Sequence, residues 1–259
     1  MGKLWNWLAS VGGDTHFVRS WCIPPNIQVG LHEYKIDLGR DYRMLSLKLR
    51  PGDVLVSRVN GYFLSNNAIP GGFKHAMFYV GPVRGWRDPE TGFIHEPKLM
   101  PSGCSVYHTD HPRCIVHAIS EGVVCQDILD VMTHTDYMAA FRPTYEQNGS
   151  SNGEKASVTA MENIGKPYDF DFDFTSEKSL CCTELVEWSL LKSGFNGWMP
   201  KRELKPTIFS KKLDVLLADD FASVFPMIWC SSSCRDGYIS KKTPSIQLKL
   251  QLSHLTQNT

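Results

Sequence analysis

Phe73-Lys74-His75-Ala76-Met77-Phe78-Tyr79-Val80-Gly81 and, a hundred residues on, Ser179-Leu180-Cys181-Cys182-Thr183-Glu184-Leu185-Val186 are the two segments that decide the fold. The first is apolar, β-branched and aromatic around one histidine, which is the pattern of a buried strand; period two puts Phe73, His75, Met77 and Tyr79 on one face. The second opens on a capping-type residue and continues with Cys182, Leu185, Val186 and Leu190 at i, i+3, i+4 and i+8, the stripe of a core-facing helix. With Ser179 as N-cap, Cys181 and Cys182 fall in the first helical turn.

A cysteine there meets the partial positive charge of the helix N-terminus, and a nearby imidazolium lowers its pKa further. The pairing expected is therefore a thiolate and an imidazolium, with the cysteine's own N–H directed at a developing oxyanion. Alkylation of such a thiol is expected to be fast well below pH 8, whereas an ordinary cysteine has a pKa of ~8.5. His75 is the candidate base. Cys114-Ile-Val-His117-Ala-Ile119 is a second strand whose central histidine is placed to orient His75, because residues on one face of paired antiparallel strands have Cβ atoms ~4.5–5.5 Å apart. Glu121 and His95 compete with His117 for that role. A lone strand histidine more often closes a core hydrogen bond, and a lone cysteine at a helix start is more often packing. The functional reading rests on the combination.

The 259 residues carry 27 basic and 27 acidic side chains, so net charge gives no footprint for nucleic acid or an anionic membrane. No N-terminal segment has the pattern of a signal peptide, and no apolar run approaches the ~20 residues that span a bilayer. Eight irregularly spaced cysteines, two of them adjacent, suit a reducing, cytoplasmic site of synthesis. Leu49-Arg50-Pro51-Gly52-Asp53 is a turn feeding the strand Val54–Arg58, and Tyr137–Pro143 reads as a further strand. Residues 82–113 are too long for a tight hairpin and read as an inserted loop or ribbon. Gln147–Gly153 reads as a polar linker, Glu154–Ile164 as a helix, and Ser210–Ala218 as another.

In order along the chain stand Arg50-Pro-Gly-Asp-Val-Leu, His75-Ala-Met-Phe-Tyr-Val-Gly, Ile115-Val-His-Ala with Glu121-Gly-Val-Val, the strand ending Phe141-Arg142-Pro143, Gly165-Lys-Pro-Tyr-Asp, and Cys182-Thr-Glu-Leu-Val. This ordered set resembles the circularly permuted papain-like hydrolases of the NlpC superfamily, above all its YiiX-like branch. The resemblance implies an α+β fold, a small antiparallel sheet packed on the helix that carries the nucleophilic cysteine. It maps the nucleophile to Cys182 rather than Cys181, the base to His75 and the third polar residue to His117, where YiiX-like relatives often carry Glu. Histidine at that place is similar to the lecithin retinol acyltransferase branch, whose Asn-Cys-Glu-His context is absent here. Tyr168 and Asp169 of the Gly-Lys-Pro-Tyr-Asp motif become candidate substrate-binding residues.

The expected organisation is an N-terminal extension over 1–45, a permuted papain-like domain over 46–197 with the 82–113 insertion, and a C-terminal appendage over 198–259. The expected reaction is hydrolysis of an amide, in peptidoglycan stem peptides by family resemblance, through a Cys-His-His triad and a thioester, without a cofactor. A phage-encoded enzyme delivered with the virion or to the cell wall fits as well as an intracellular one. The alternatives are a lipid ester hydrolase or acyltransferase, and an inactive structural protein that kept the frame. Cys104, His108, His111 and Cys114 form a compressed zinc-like set, against which stands a polar loop with incidental ligands. Cys230 and Cys234 read as a reduced loop.

Overall fold

The computed structural model describes residues 35–59, 70–101, 110–145, 149–172, 174–204 and 213–235. Its centre is an antiparallel sheet in the order β5-β4-β2-β1-β6-β9. The strands are β1 (Val54–Arg58), β2 (His75–Arg87), β3 (Ile94–Leu99), β4 (His111–Ile119), β5 (Gly122–Asp127), β6 (Tyr137–Phe141) and β9 (Met227–Cys230). β3 pairs with the far end of β2, so the expected insertion is a ribbon that prolongs β2 beyond the sheet.

Alternation along the strands divides the core in two. Val54, Phe78, Val116 and Phe141 face helices α3 (Gly149–Glu162) and α4 (Cys182–Lys192), meeting Ala156, Ala160, Leu185, Val186 and Leu190. Leu55, Met77, Tyr79, Ile115 and Met138 point the other way, against Leu45 of the short α1 (Arg43–Ser46) and against Ile128 and Met132 of α2 (Ile128–Thr133). Phe73 belongs to the helix-side layer, not to the face of Met77 and Tyr79 as period two suggested. The reason is that strand β2 begins only at His75, so alternation does not extend back to Phe73.

Two further expectations change. The polar stretch from Gly149 is the first turn of α3 rather than a linker; Gly153 lets that turn approach the β1 turn, since a Cβ on it would lie 2.6 Å from the Pro51 carbonyl oxygen. Within the stretch expected as a helix over 210–218, Leu213–Val215 is a strand, β8, paired antiparallel with β7 (Arg202–Leu204). Backbone pairing across that hairpin outweighs the local helical character of the sequence.

The segment expected as an appendage also supplies β9, which pairs antiparallel with β6 in the main sheet. Short helices α5 (Phe221–Val224) and α6 (Ser232–Arg235) flank it. The Asp41 carboxylate, from the end of the expected N-terminal extension, accepts hydrogen bonds from the Ser232 backbone N–H at 3.1 Å and the Ser232 hydroxyl at 2.7 Å. Sheet and cores thus draw on chain from both sides of 46–197. Residues 1–34 of the expected N-terminal extension lie outside the described residues.

Candidate active site

The approach to His75 is built from the far end of the chain. Gly71 has φ +97°, and a Cβ there would lie 2.5 Å from Asp219 Oδ2, so only glycine fits. The buried Asp219 carboxylate accepts the N–H groups of Gly72 at 2.6 Å and Phe73 at 2.7 Å, while Arg58 donates to the Gly72 carbonyl at 3.0 Å. With three bonds on two consecutive residues, the point where β2 begins is fixed.

β2 and β4 pair from Phe78–Val116 toward the ribbon, so His75 and His117 lie beyond the end of that ladder. There His75 Nε2 meets His117 Nδ1 at 2.9 Å, with ring centroids 5.2 Å apart. His117 is buried, His75 half-buried. Nδ1 of His75 has no hydrogen-bond partner among the described residues. Gln126, on β5, approaches the other side of His117 but too loosely for a hydrogen bond, leaving His117 Nε2 buried without a partner among the described residues.

α4 brings its N-terminus to the same place. Leu180 N–H donates to the Pro167 carbonyl at 3.1 Å, keeping residues 179–180 out of the helix; the N-cap is Cys181, not Ser179. Cys181 and Glu184 form a capping box: the Cys181 N–H donates to Glu184 Oε2 at 2.7 Å, and the Cys181 thiol accepts the Glu184 N–H. Cys181 is thereby occupied in the cap. Cys182, the next residue, turns its sulfur toward the N–H groups of Ala76, Thr183 and its own peptide. The sulfur thus lies near the backbone of the residue following His75, although no direct hydrogen bond joins Cys182 to the His75 ring among the described residues.

Burial sets the charge state. It pushes the Cys182 thiol up to about 11 despite the three N–H groups, and the His75 imidazole down to about 4. His117 is held well below its ordinary value by burial and by His75 beside it. The resting site is a neutral thiol beside two neutral imidazoles, in place of the expected thiolate–imidazolium pair: desolvation here outweighs the helix dipole.

Asp169, expected to touch substrate, is turned inward. It is 5% exposed and its carboxyl sits against that of Glu184, which burial pushes up to about 7 with Asp169 adding to the rise. Tyr168 is half-buried close to both thiols, and its ring packs with those of Phe170 and Phe172 at centroid distances of 4.8 and 6.0 Å. The two competitors for the orienting role lie elsewhere. Glu121 is exposed and accepts from the Ser120 hydroxyl, and His95 stacks on Trp86 on the ribbon. Of the zinc-like set, Cys104 and His108 lie outside the described residues; His111 Nε2 bonds the Gly85 carbonyl oxygen, and Cys114 is buried in the core. Among the described residues no three His, Cys, Asp or Glu side chains converge on a metal position. Cys230 and Cys234 are buried and not joined in a disulfide.

Sequence reading did not reach Asp219, Arg58 or Gln126, whose bearing on the site comes from contacts between distant segments. It did contain Asp53 and Arg142 as motif residues, without their pairing. Arg142 grips buried Asp53 with two bonds of 2.8 Å and so ties the start of β1 to the end of β6.

Comparison with known proteins places these features in a family. Residues 48–233 match the family model described as "Permuted papain-like amidase enzyme, YaeF/YiiX, C92 family". A solved structure described as the metalloprotein yiiX from Escherichia coli O157:H7 is similar over 70% of this chain and 97% of that one, with 13% sequence identity and a TM-score of 0.47. No curated protein matches the chain.

Proposed function

Since this chain belongs to the permuted papain-like amidases of the YaeF/YiiX, C92 family, and so to the cysteine hydrolases, we propose that it cleaves the amide bonds of peptidoglycan stem peptides with Cys182 as nucleophile, His75 as base and His117 as the group that orients the base. The observation that carries this assignment is the 2.9 Å contact between His75 Nε2 and His117 Nδ1 at the ladder end where Cys182 meets Ala76. With His75 Nε2–H donating to His117, the lone pair of His75 is on Nδ1, the nitrogen left for the thiol proton.

Attack then runs from neutral partners. Cys182 Sγ adds to the amide carbon as its proton passes to His75 Nδ1, and the oxyanion takes the Cys182 N–H, an N-terminal helix donor without an intrahelical partner. The imidazolium returns the proton to the departing amine, leaving a thioester. Water, deprotonated by His75, releases the acid and restores the thiol. Asp169 and Glu184 support the helix start behind the sulfur and do not touch substrate.

The half-buried Tyr168–Phe170–Phe172 group beside the thiol favours a second reading, in which the acyl part is apolar and the bond is a lipid ester or is transferred rather than hydrolysed. The two separate in one experiment: incubate the protein, with Cys182→Ala as control, with muropeptides and with phospholipids and identify products by mass spectrometry. Stem-peptide fragments support the first reading. Free fatty acid or lysolipid supports the second, and turnover by Cys182→Ala defeats both.

A further inference from the structure

The β2–β3 ribbon carries a groove of about 400 Å³ lined by Arg84, Gly85, Trp86, His95, Glu96 and Lys98. Its construction is unusual in three respects. Arg84 and Lys98 are directly opposite each other across the strands, an arrangement of like charges that weakens a sheet. Among the described residues, neither side chain has a hydrogen bond or an ion pair. Trp86 is 62% exposed, its indole kept in place by stacking on His95 with centroids 5.3 Å apart and planes at 29°. A register shift between Arg84 and Trp86 bends the ribbon here, and Gly85 lies so close to β3 that a Cβ would fall 2.5 Å from Ile94.

We propose that this groove docks the ribbon on an anionic membrane, one lipid phosphate bridging Arg84 and Lys98 while Trp86 lies in the headgroup layer. An anion between the two cations relieves their repulsion, and a rigidly held indole beside basic side chains is the chemistry of a membrane interface. The ligand is a surface rather than an enclosed molecule because Arg84, Trp86, His95, Glu96 and Lys98 are all exposed along the groove. Glu96 opposes the contact with one negative charge; the two cations outnumber it. The zero net charge of the whole chain averages this patch away. Docking at this groove does not depend on which bond the thiol site cleaves.

The test is co-sedimentation of the full chain with phosphatidylcholine vesicles, with and without phosphatidylserine. Binding is expected only with the anionic lipid, weakened roughly tenfold or more by Arg84→Gln with Lys98→Gln, and weakened also by Trp86→Ser. Arg87→Gln removes one positive charge, from a guanidinium already held by Asp130 at 2.8 Å, and is expected to bind like the parent. All these side chains are exposed, so unchanged melting curves confirm that each variant is folded. The proposal falls if the parent ignores phosphatidylserine, if the double variant binds as well as the parent, or if Arg87→Gln loses as much. It falls too if free glycerol phosphate binds the groove while vesicles do not, which would make the site one for a soluble phosphate.

Discussion

Adjacent Cys181 and Cys182 differ in what their sulfurs touch, and that difference is measurable. Cys182→Ala is expected to abolish turnover with little change in melting temperature, since it removes one sulfur at the helix start. Cys181→Ala is expected to keep most activity but to lose the cap, at about 1 kcal/mol, or a melting temperature lower by roughly 2–4 °C. A Cys181→Ala variant that is stable but dead would reverse the assignment. The neutral resting state gives a second expectation. The proposed base, His75, can accept a proton only while unprotonated, so kcat/KM should hold through mildly acid pH and fall as pH drops through about 4. Iodoacetamide labelling of Cys182 should keep rising with pH toward about 11; a labelling plateau below pH 8 would show a preformed thiolate instead. The sequence was enough to single out Cys182, His75 and His117 as candidates, because nucleophile and base residue types on a helix start and two strands leave a local pattern. It could not show their charge state, which depends on burial by residues far away in the chain.

At the level of elements, the segment after residue 197 is part of the machine. β9 closes one side of the sheet and Asp219 holds the backbone in front of His75. Asp219→Ala strands two N–H groups that a buried carboxylate now satisfies, at on the order of 2–3 kcal/mol, and should lower kcat more than KM because the base is displaced while the rest of the site stays. Asp219→Asn, which keeps one acceptor oxygen, should recover part of both losses. A chain ending at Gly197 should fail to give a cooperative melt, which circular dichroism would show; a folded, active truncation would show that the sheet stands without β9. Strands β1, β2, β4 and β6 were legible because their apolar runs lie inside the sheet on both faces. β8 and β9 were not, since three or four residues of pairing leave no periodicity to read, and Phe73 was assigned to the wrong layer because alternation says nothing about where a strand begins.

For the molecule as a whole, buried titratable groups at the site link folding to pH in opposing directions. His75 and His117 are kept neutral, so the stability they allow is present above the unfolded imidazole value of ~6.5 and is lost as pH falls from there toward about 4. Glu184 acts the other way: its contribution is present below the unfolded carboxyl value and disappears as pH rises to about 7. Two imidazoles oppose one carboxyl, so net stability should decline on acidification between those limits. Glu184→Gln keeps the cap acceptor and removes the opposing proton, so its melting temperature should fall more steeply with acid than the parent's; parallel curves would show that Glu184 does not titrate in this range. The far-end anchor at Asp219 also has a consequence for how the protein comes into being. Synthesis proceeds from the N-terminus, so the ribosome releases Cys182 before it has made the residue that positions His75. A nascent chain in which Cys182 and His75 serve as proposed therefore carries the sulfur before the base is held in place, and activity waits for the synthesis of Asp219.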